Sequence, residues 1–276
     1  MTIRRRHVSI HQALVSCAAI TALGSLLKKV ILTLPAYNEA QGIGPLLLEA
    51  DRVFVTQPCA SEIVVVDDGS VDGTAEAAQA VQLRTPLSVV KHSQNKGLGQ
   101  AVITCLKEGL ARIESEQDLI VCMDSDNTHP PAVIPEMVRQ AAQGADLIIA
   151  SRYQQGSRQI GVPFFRRMLS LGARWVFWWK LRLPGVRDYT CGFRAYRAWL
   201  VRKGFEEYGD QLITRQGFAC TDELLVKLAN YSHRIIEVPF ILRYDRKHGR
   251  SKIQLMKTIR ETLRMLSQKT EVRPPK

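Results

Sequence analysis

Short apolar runs alternate with segments of helical periodicity along most of the chain. The runs are four or five residues long and span residues 30–34, 63–66, 87–90, 119–123 and 146–150. Between several of them, apolar residues recur at helical spacing, as they do from Pro45 to Val55. Strands that are apolar on both faces and separated by helices are typical of parallel sheets. The pattern therefore predicts an α/β fold, with a mostly parallel sheet and helices on both of its faces.

Polar residues follow most of these strands at the point where each strand ends. In chain order they are Tyr37 and Glu39, Asp67 and Asp68, Asp124 and Asp126, and Arg152. Ligands of parallel α/β sheets bind beyond the carboxyl ends of the strands. We therefore expect these side chains to meet on one rim and to bind a nucleotide diphosphate, although each one alone is also consistent with a turn or a solvated surface position.

The fourth run ends in Asp124-Ser125-Asp126. Two carboxylates separated by one small residue can share a hard divalent cation such as Mg2+ or Mn2+ and hold it against a phosphate. A bare pair of this kind more often caps the next helix, so the metal interpretation depends on its place on the rim. The nearby segment Lys96-Gly97-Leu98-Gly99 lacks the full pattern of a phosphate-binding loop, and we interpret it as a helix entry with a close backbone approach.

The last third of the chain is richer in aromatic and basic residues. Residues 163–181 predict a helix carrying Trp175, Trp178 and Trp179, which pack in a core or form an interfacial aromatic belt beside arginines. We expect a loop leading into an aromatic strand at residues 187–196, a helix at 221–230 and a further strand at 235–242. A basic amphipathic helix with its tail is expected at residues 253–276. A basic amphipathic helix suits a membrane surface.

Composition narrows the class of partner. The chain has 276 residues, of which 46% are apolar and 23% charged, so it can bury a full core. Its 38 Lys and Arg outnumber its 26 Asp and Glu, and the net charge of +12 favours an anionic partner. The basic clusters lie beside apolar stretches, without zinc-finger spacing or an RNA-binding aromatic motif. We expect a membrane surface and a phosphate-rich substrate, and no nucleic acid.

Residues 1–29 form a basic and apolar N-terminal extension, in which Arg4, Arg5 and Arg6 precede a diluted apolar stretch. The extension is consistent with a helix lying on a membrane or with a membrane-inserted segment. The six cysteines form no C-x-x-C pair, which predicts reduced thiols in a cytosolic compartment. We therefore expect a cytoplasmic protein that is peripheral on the cytosolic face of a membrane.

Eight segments follow one another in a recognisable order. They are Leu34–Glu39, Val66–Thr74, Lys96–Gly99, Met123–Asp126, Ser151–Tyr153, Asp188–Tyr196, Glu237–Pro239 and Gly249–Lys252. In this order they resemble the family-2 inverting glycosyltransferases of GT-A fold, and more closely their dolichol-phosphate or polyprenyl-phosphate mannosyltransferase branch. The resemblance implies a GT-A domain over residues 30–252. It also implies transfer of a hexose, with mannose from GDP-mannose as the best guess, onto a polyprenyl or dolichyl phosphate.

The resemblance also implies roles for individual residues. Asp124 and Asp126 would bind the metal, and the backbone of Ser125 would line the sugar-nucleotide site. The catalytic residues would be Asp126, through the metal, and Arg152, Arg246 and Lys252, which would contact the diphosphate or the acceptor phosphate. The base and ribose would be bound around Pro35, Tyr37, Glu39, Val66 and Asp68. Glu223 matches a family acid near the acceptor.

The chain departs from the family pattern at three places. Ser125 stands where the family often has alanine, and Cys191-Gly192-Phe193-Arg194 stands where it often has Gly-Ser-Phe-Arg. Many members also continue into C-terminal spanning helices, whereas this sequence stops at Lys276 after one amphipathic helix. We therefore expect the protein to attach to the membrane peripherally or through a membrane-anchoring partner. Three alternatives stay open: another nucleotide sugar such as UDP-glucose, another acceptor, or a catalytically silent nucleotide-sugar-binding protein.

Overall fold

The structure is a computed structural model and describes residues 27–247. The strands are β1 Lys29–Ala36, β2 Ala60–Asp67, β3 Leu87–Lys91, β4 Leu119–Cys122, β5 Leu147–Ser151, β6 Arg158–Ile160, β7 Arg194–Arg197, β8 Ile235–Pro239 and β9 Ile241–Arg243. The helices are α1 Ala40–Phe54, α2 Thr74–Gln79, α3 Leu98–Leu110, α4 Ile134–Ala142, α5 Phe164–Leu181, α6 Ala198–Tyr208 and α7 Ala219–Ala229. The predicted C-terminal helix at 253–276, Lys252 and most of the predicted extension at 1–29 lie outside the described residues.

Seven strands form one sheet in the order β3-β2-β1-β4-β7-β5-β8. All neighbours pair in parallel except β7, which runs antiparallel between β4 and β5. β6 and β9 pair in parallel as a separate two-stranded sheet. The mostly parallel sheet confirms the predicted fold class. It also brings the ends of β1, β2, β4 and β5 to one rim.

Helices cover both faces of the main sheet. Val30, Ile31 and Leu32 are consecutive in β1, and all three are 0% exposed. Consecutive side chains of a strand point to opposite faces, so both faces are buried at this point. On one face α3 packs on β1, β2 and β4, while α4 contacts β4, β5 and β8. The core therefore lies on both sides of the central strands.

The structure adds two helices that the sequence pattern did not predict, α4 and α6. The prolines after residue 129 suggested a loop, but Pro131 enters a short 3-10 turn and α4 starts directly after it. Proline is compatible with the first turn of a helix, which explains the difference. The single strand predicted over 235–242 is two strands, because the chain leaves the main sheet after Pro239 and β9 pairs with β6.

Two further features bear on the expectations above. The five cysteines among the described residues form no disulfide bond with one another. Within residues 27–247, no helix combines the length and hydropathy that crossing a bilayer requires.

Candidate active site

The Asp-Ser-Asp segment lies directly beyond the end of β4. All four residues of β4 are buried, so the strand is fixed in the centre of the sheet and ends abruptly in the polar loop. The Ser125 hydroxyl donates a 2.8 Å hydrogen bond to the carbonyl oxygen of Pro35 at the end of β1. This bond ties the loop to the neighbouring strand and holds the two flanking carboxylates at the rim, as the sequence predicted.

Asp126 is held from two sides. Its Oδ1 accepts bonds from the backbone N–H of Thr128 at 3.1 Å and from the Thr128 hydroxyl at 2.6 Å. Its Oδ2 pairs with the ammonium of Lys247, in a contact whose side chains are 15% and 17% exposed. Lys247 follows directly after the predicted Arg246, but the sequence pattern gave no signal for it. The structure therefore brings an additional cation to the acid pair.

Asp124 faces a histidine on one side and a glycine on the other. Its Oδ2 lies 3.8 Å from Nδ1 of His129, whose ring stacks on Phe193. His129 is buried, but its Nδ1 has no hydrogen-bond partner among the described residues. A Cβ at Gly192 would lie only 3.3 Å from Asp124 Oδ1. Glycine at position 192 therefore leaves this carboxylate open.

The two acids differ in their electrostatics. Burial raises the pKa of Asp124, and the negative charge of Asp126 adds to this, against opposing contributions from His129, Lys247 and Arg152. Burial also acts to raise the pKa of Asp126, but the ammonium of Lys247 outweighs it, so the pKa of Asp126 lies below its ordinary value. Asp126 is thus the stronger anion of the pair and the better place for a cation.

The donor set fits a hard divalent cation. Carboxylate oxygens are the ligands that Mg2+ and Mn2+ prefer, and these ions keep several sites for water and phosphate oxygens. Lys247 already places a positive charge on Asp126, which shows that the carboxylate accepts a cation at that point. Within residues 27–247, no group of three histidine, cysteine or acidic side chains is placed so that it could hold a metal ion by itself. The remaining ligands of a metal held here would come from a bound diphosphate and water.

Arg152 lies beyond β5 and is clamped by Asp188. Its Nε donates to Asp188 Oδ2 at 2.8 Å, and its Nη2 donates to Asp188 Oδ1 at 2.6 Å and to the Thr190 hydroxyl at 2.5 Å. The side chain of Asp188 is 1% exposed and that of Arg152 16%. Burial disfavours both charges, but each charge stabilises the other, so the pKa of Asp188 is lowered and that of Arg152 raised. The pair fixes the direction of the guanidinium.

Glu237 of β8 supports this clamp. One of its carboxylate oxygens accepts the backbone N–H groups of Arg187 and Asp188, each at 2.6 Å. The Glu237-Val238-Pro239 segment therefore acts through the backbone that carries Asp188. Sequence reasoning named Arg152 and the Glu237 segment but did not identify Asp188 as the residue that joins them.

The loop after β1 is fixed by the loop after β2. The backbone N–H groups of Asn38, Glu39 and Ala40 donate to side chains of Ser70, Thr74 and Asp72, at 2.8, 2.8 and 3.1 Å. These bonds fix the backbone that leads into α1, and the last of them satisfies the N–H of Ala40, the first residue of the helix. Tyr37, 36% exposed, stands beside them at the rim. The predicted base and ribose residues Tyr37 and Glu39 therefore share one rigid loop pair, and Pro35 and Val66 are partners in the β1–β2 register.

Asp68 is buried and organises the loop before α3. Its Oδ1 accepts the N–H of Lys96 at 2.9 Å and lies 2.7 Å from His92 Nδ1, while its Oδ2 accepts the N–H of Gly97 at 2.9 Å. Gly97 has a φ of +88° and caps α3, which agrees with the predicted helix entry. A Cβ at Gly99 would lie 2.2 Å from the carbonyl oxygen of Arg215. The predicted close backbone approach is therefore present.

The remaining predicted site residues lie further from the acid pair. Arg246 pairs with Glu49 of α1 at 3.2 Å, and both side chains are substantially exposed. Glu223, buried in α7, accepts the N–H groups of Thr214 and Arg215 and pairs with Lys227 at 2.6 Å. Glu223 therefore shapes the loop that packs on Gly99. Lys252 is outside the described residues.

Comparison with known proteins gives concordant results. The glycosyl transferase family 2 profile matches residues 32–209. A dolichol-phosphate mannosyltransferase from Pyrococcus furiosus is 37% identical over 239 residues, covering 86% of this chain and 62% of the relative. An undecaprenyl-phosphate mannosyltransferase from Micrococcus luteus is 34% identical, covering 82% of this chain and 87% of the relative. The chain thus spans somewhat less than two thirds of the Pyrococcus protein.

Among solved structures, glucosyl-3-phosphoglycerate synthase from Mycobacterium tuberculosis, in complex with Mn2+, UDP and glucosyl-3-phosphoglycerate, superimposes with a TM-score of 0.65. The sequence identity is 21%, and the match covers 96% of this chain and 85% of that protein. At this identity the likeness bears on the fold alone, and it agrees with the GT-A architecture. The family profile extends over more than half of the sequence, from β1 through the acid pair to the end of α6. This chain belongs to glycosyl transferase family 2.

Proposed function

We propose that the protein transfers a hexosyl group from a nucleotide diphosphosugar to the phosphate of a polyprenyl or dolichyl carrier, with inversion at the anomeric carbon. The observation that carries the proposal is the Asp124–Asp126 pair at the end of β4, with the cations of Lys247 and Arg152 in its field. The names of the Pyrococcus and Micrococcus relatives support the polyprenyl phosphate acceptor. Mannose from GDP-mannose is the donor we favour.

The donor's diphosphate would be held between the carboxylates and the nearby cations. A Mg2+ or Mn2+ ion bound by Asp124 and Asp126 would neutralise the charge that develops on the departing diphosphate. Lys247 lies close enough to Asp126 to take up a phosphate oxygen when a metal replaces it there. Arg152 Nη1 makes no hydrogen bond to the described residues, so it is the guanidinium nitrogen that remains for a phosphate.

The acceptor phosphate would itself be the nucleophile. Its second pKa is near 6, so it is largely dianionic at neutral pH and needs no strong base. Two acids that could otherwise act as a base are already in ion pairs: Glu223 with Lys227, and Asp188 with Arg152. The residues would therefore act by aligning two anions in line across the anomeric carbon, which is an entropic and electrostatic task.

The nucleoside would lie over the ends of β1 and β2. In this proposal Pro35, Tyr37, Glu39 and Val66 line that end of the site, and Asp68 acts by holding the loop at residues 96–97. Ser125 keeps the acid pair beside them through its bond to Pro35. Arg246 and Lys252 would close the phosphate side, with Arg246 leaving Glu49 to do so. The work would take place at the cytosolic face of a membrane, to which the protein binds peripherally, alone or through an anchoring partner.

The test is transfer of a labelled sugar. Purified protein is incubated with Mn2+, a polyprenyl phosphate and either labelled GDP-mannose or labelled UDP-glucose, and lipid-linked product is extracted and counted. We expect product from GDP-mannose, with the β configuration at the new bond by NMR. Product from UDP-glucose alone would identify UDP-glucose, and not GDP-mannose, as the donor. Absence of lipid-linked product with every nucleotide sugar would refute the proposed function.

A variant separates catalysis from nucleotide binding alone. Asp126→Asn is compared with Glu136→Gln, a surface acid on α4 that pairs with Arg139 away from the site. If the two variants bind the nucleotide sugar equally well and the native chain shows no turnover, the protein is instead a catalytically silent nucleotide-sugar-binding protein.

A further inference from the structure

Helix α5 presents its apolar face to solvent. Eight large apolar side chains of this helix are at least 39% exposed, namely Phe164, Phe165, Met168, Leu171, Trp175, Val176, Trp178 and Trp179. A helix on the surface of a globular protein normally turns its apolar stripe toward the core. Of the two alternatives for the tryptophans, packing in a core is therefore wrong for Trp175, Trp178 and Trp179, which are 66%, 50% and 67% exposed.

The exposed residues form one continuous arc. At about 100° per residue, the positions from Phe164 through Met168, Leu171 and Trp175 to Trp179 stay on one side of the helix. The opposite side carries Phe177, which is fully buried and stacks on Tyr189 at 5.4 Å. Among the described residues, the helix is therefore anchored to the domain by one side, while its aromatic side stays exposed. Its 18 residues give this aromatic face a length of about 27 Å.

The charge around this face has a single sign. Residues 154–187 contain seven Lys and Arg and no Asp or Glu. Arg167 and Lys180 are exposed on α5 itself, and Arg182 is exposed just beyond its end. Tryptophan beside basic residues is the composition found at the headgroup level of membranes, where the rings enter the acyl boundary and the cations meet anionic headgroups. Acidic lipid is therefore the partner that complements both features.

The aromatic face is also connected to the candidate active site. The hydroxyl of Tyr153 lies 2.8 Å from that of Ser170 on α5, and the guanidinium of Arg174 lies 4.6 Å above the Tyr153 ring. Tyr153 directly follows Arg152, and Tyr189 directly follows Asp188. Both residues of the buried clamp thus have a neighbour packed on α5. A surface that holds α5 would lie on the Arg152 side of the acid pair.

We propose that the exposed face of α5 is the membrane-docking surface, and that it seats on a bilayer containing anionic lipid so that a lipid-borne phosphate reaches the Arg152 side of the site. The second clause rests on the function proposed above, and the first does not. Docking by α5 places the lipid surface beside Arg152 and Asp188, a prediction that docking by the helix expected at 253–276 does not make.

The test measures binding to vesicles and transfer separately. The full chain is floated with vesicles of phosphatidylcholine, with and without phosphatidylglycerol, and Trp175→Ser/Trp179→Ser is compared with Leu48→Ser/Val55→Ser, which removes exposed apolar side chains from α1 and its end. We expect the partition coefficient of the tryptophan variant to fall at least about tenfold, because two large apolar side chains are no longer transferred from water to the bilayer. The control variant should partition like the native chain. Equal partition of the native chain and the tryptophan variant would overturn the proposal.

Charge gives a second arm. Arg167→Gln/Lys180→Gln should weaken binding to the vesicles with phosphatidylglycerol more than to those without it, and salt should weaken the native chain in the same way. If α5 is instead an interface between two copies of the chain, light scattering will report a doubled mass that the tryptophan substitutions halve, and vesicle binding will not depend on them. That result would refute membrane docking by this face.

Transfer assays distinguish failure of this inference from failure of the proposed function. With a short, water-soluble isoprenyl phosphate, the tryptophan variant should match the native rate. With the long carrier embedded in vesicles, it should fall in proportion to its binding. Native protein that binds vesicles through α5 but glycosylates neither acceptor would leave docking intact and remove the proposed function. A variant that loses both rates equally, with unchanged vesicle binding, would contradict the docking role.

Discussion

Replacing Asp188 by asparagine should destabilise the protein strongly, because it leaves the charge of Arg152 without its partner. Asp188 accepts three hydrogen bonds from Arg152: from the backbone N–H at 2.9 Å, from Nε at 2.8 Å and from Nη2 at 2.6 Å. Asparagine keeps the shape but loses the charge, and its amide turns a donor toward a donor. Removing one partner from a buried ion pair costs about 3–5 kcal/mol. With 1% and 16% exposure, this pair belongs to that class.

Urea unfolding at pH 7 measures this loss directly. A cost of about 3–5 kcal/mol is a large part of the roughly 5–15 kcal/mol that stabilise a typical domain, so the midpoint should shift clearly at an unchanged slope. Glu136→Gln is the matched control. It removes an exposed partner of Arg139 and should cost about 0–1 kcal/mol. The double variant Arg152→Gln/Asp188→Asn should be more stable than Asp188→Asn, since no unpaired charge stays buried.

The pH dependence has a defined sign. Despite burial, Arg152 holds the pKa of Asp188 below its ordinary value of 3.8. The stabilisation by the charged carboxylate is therefore complete above about pH 4 and disappears as the pH falls through the lower, folded-state pKa. The difference between the native chain and Asp188→Asn should shrink in acid. A cost below about 1 kcal/mol at pH 7, or a difference that does not change with pH, would refute the assigned role of the pair.

Three further substitutions test other parts of the structure. Asp126→Asn should abolish turnover and weaken Mn2+ binding by calorimetry, with a smaller loss of stability than Asp188→Asn because Lys247 meets Asp126 through one flexible ammonium, and retained activity would contradict the metal assignment. Gly99→Ala should cost about 1–3 kcal/mol, because its Cβ would lie 2.2 Å from the Arg215 carbonyl, whereas Gly172→Ala meets nothing within 4 Å and should not destabilise. Burial raises the pKa of Asp222 to about 8, so from pH 4 to 8 ionisation favours the unfolded chain, and the stability gained by Asp222→Asn should grow over that range. A gain independent of pH would argue against a buried neutral carboxyl.

The sequence predicted those parts of the fold that rest on periodicity. β1, β2, β4 and β5 each contain a run of consecutive buried, mostly apolar residues because both of their faces are covered there, and this pattern is visible without a structure. The polar residues after each strand were predicted to share a rim because parallel strands bring their ends together. The antiparallel insertion of β7 between β4 and β5 has no such signal, since strand order depends on tertiary pairing and not on local pattern.

Partner assignments within the site were not predictable in the same way. Arg246 and Lys247 are adjacent, and the family resemblance implied a role for Arg246, but Lys247 contacts Asp126 while Arg246 pairs with Glu49. Which of two neighbouring side chains points inward depends on the backbone turn at Tyr244–Arg246, which no periodicity describes. The exposure of the aromatic face of α5 was not predictable for the same reason. The aromatic content of the helix is visible in the sequence, but whether that face meets the core depends on how the helix is anchored.

The two ion pairs at the site differ in how easily they can be replaced, and this difference separates their roles. Arg152 is bound to Asp188 by three hydrogen bonds, and Glu237 fixes the backbone on the far side, so exchanging this pair would leave several buried groups unsatisfied. Lys247 meets Asp126 through one flexible ammonium, while Thr128 independently holds the other carboxylate oxygen. In the proposed function, a divalent cation bound by Asp126 would take the place of the Lys247 contact, while Thr128 would still hold the carboxylate. The contacts of Arg152 therefore favour a fixed role for its guanidinium, whereas those of Asp126 would allow one cation to be exchanged for another.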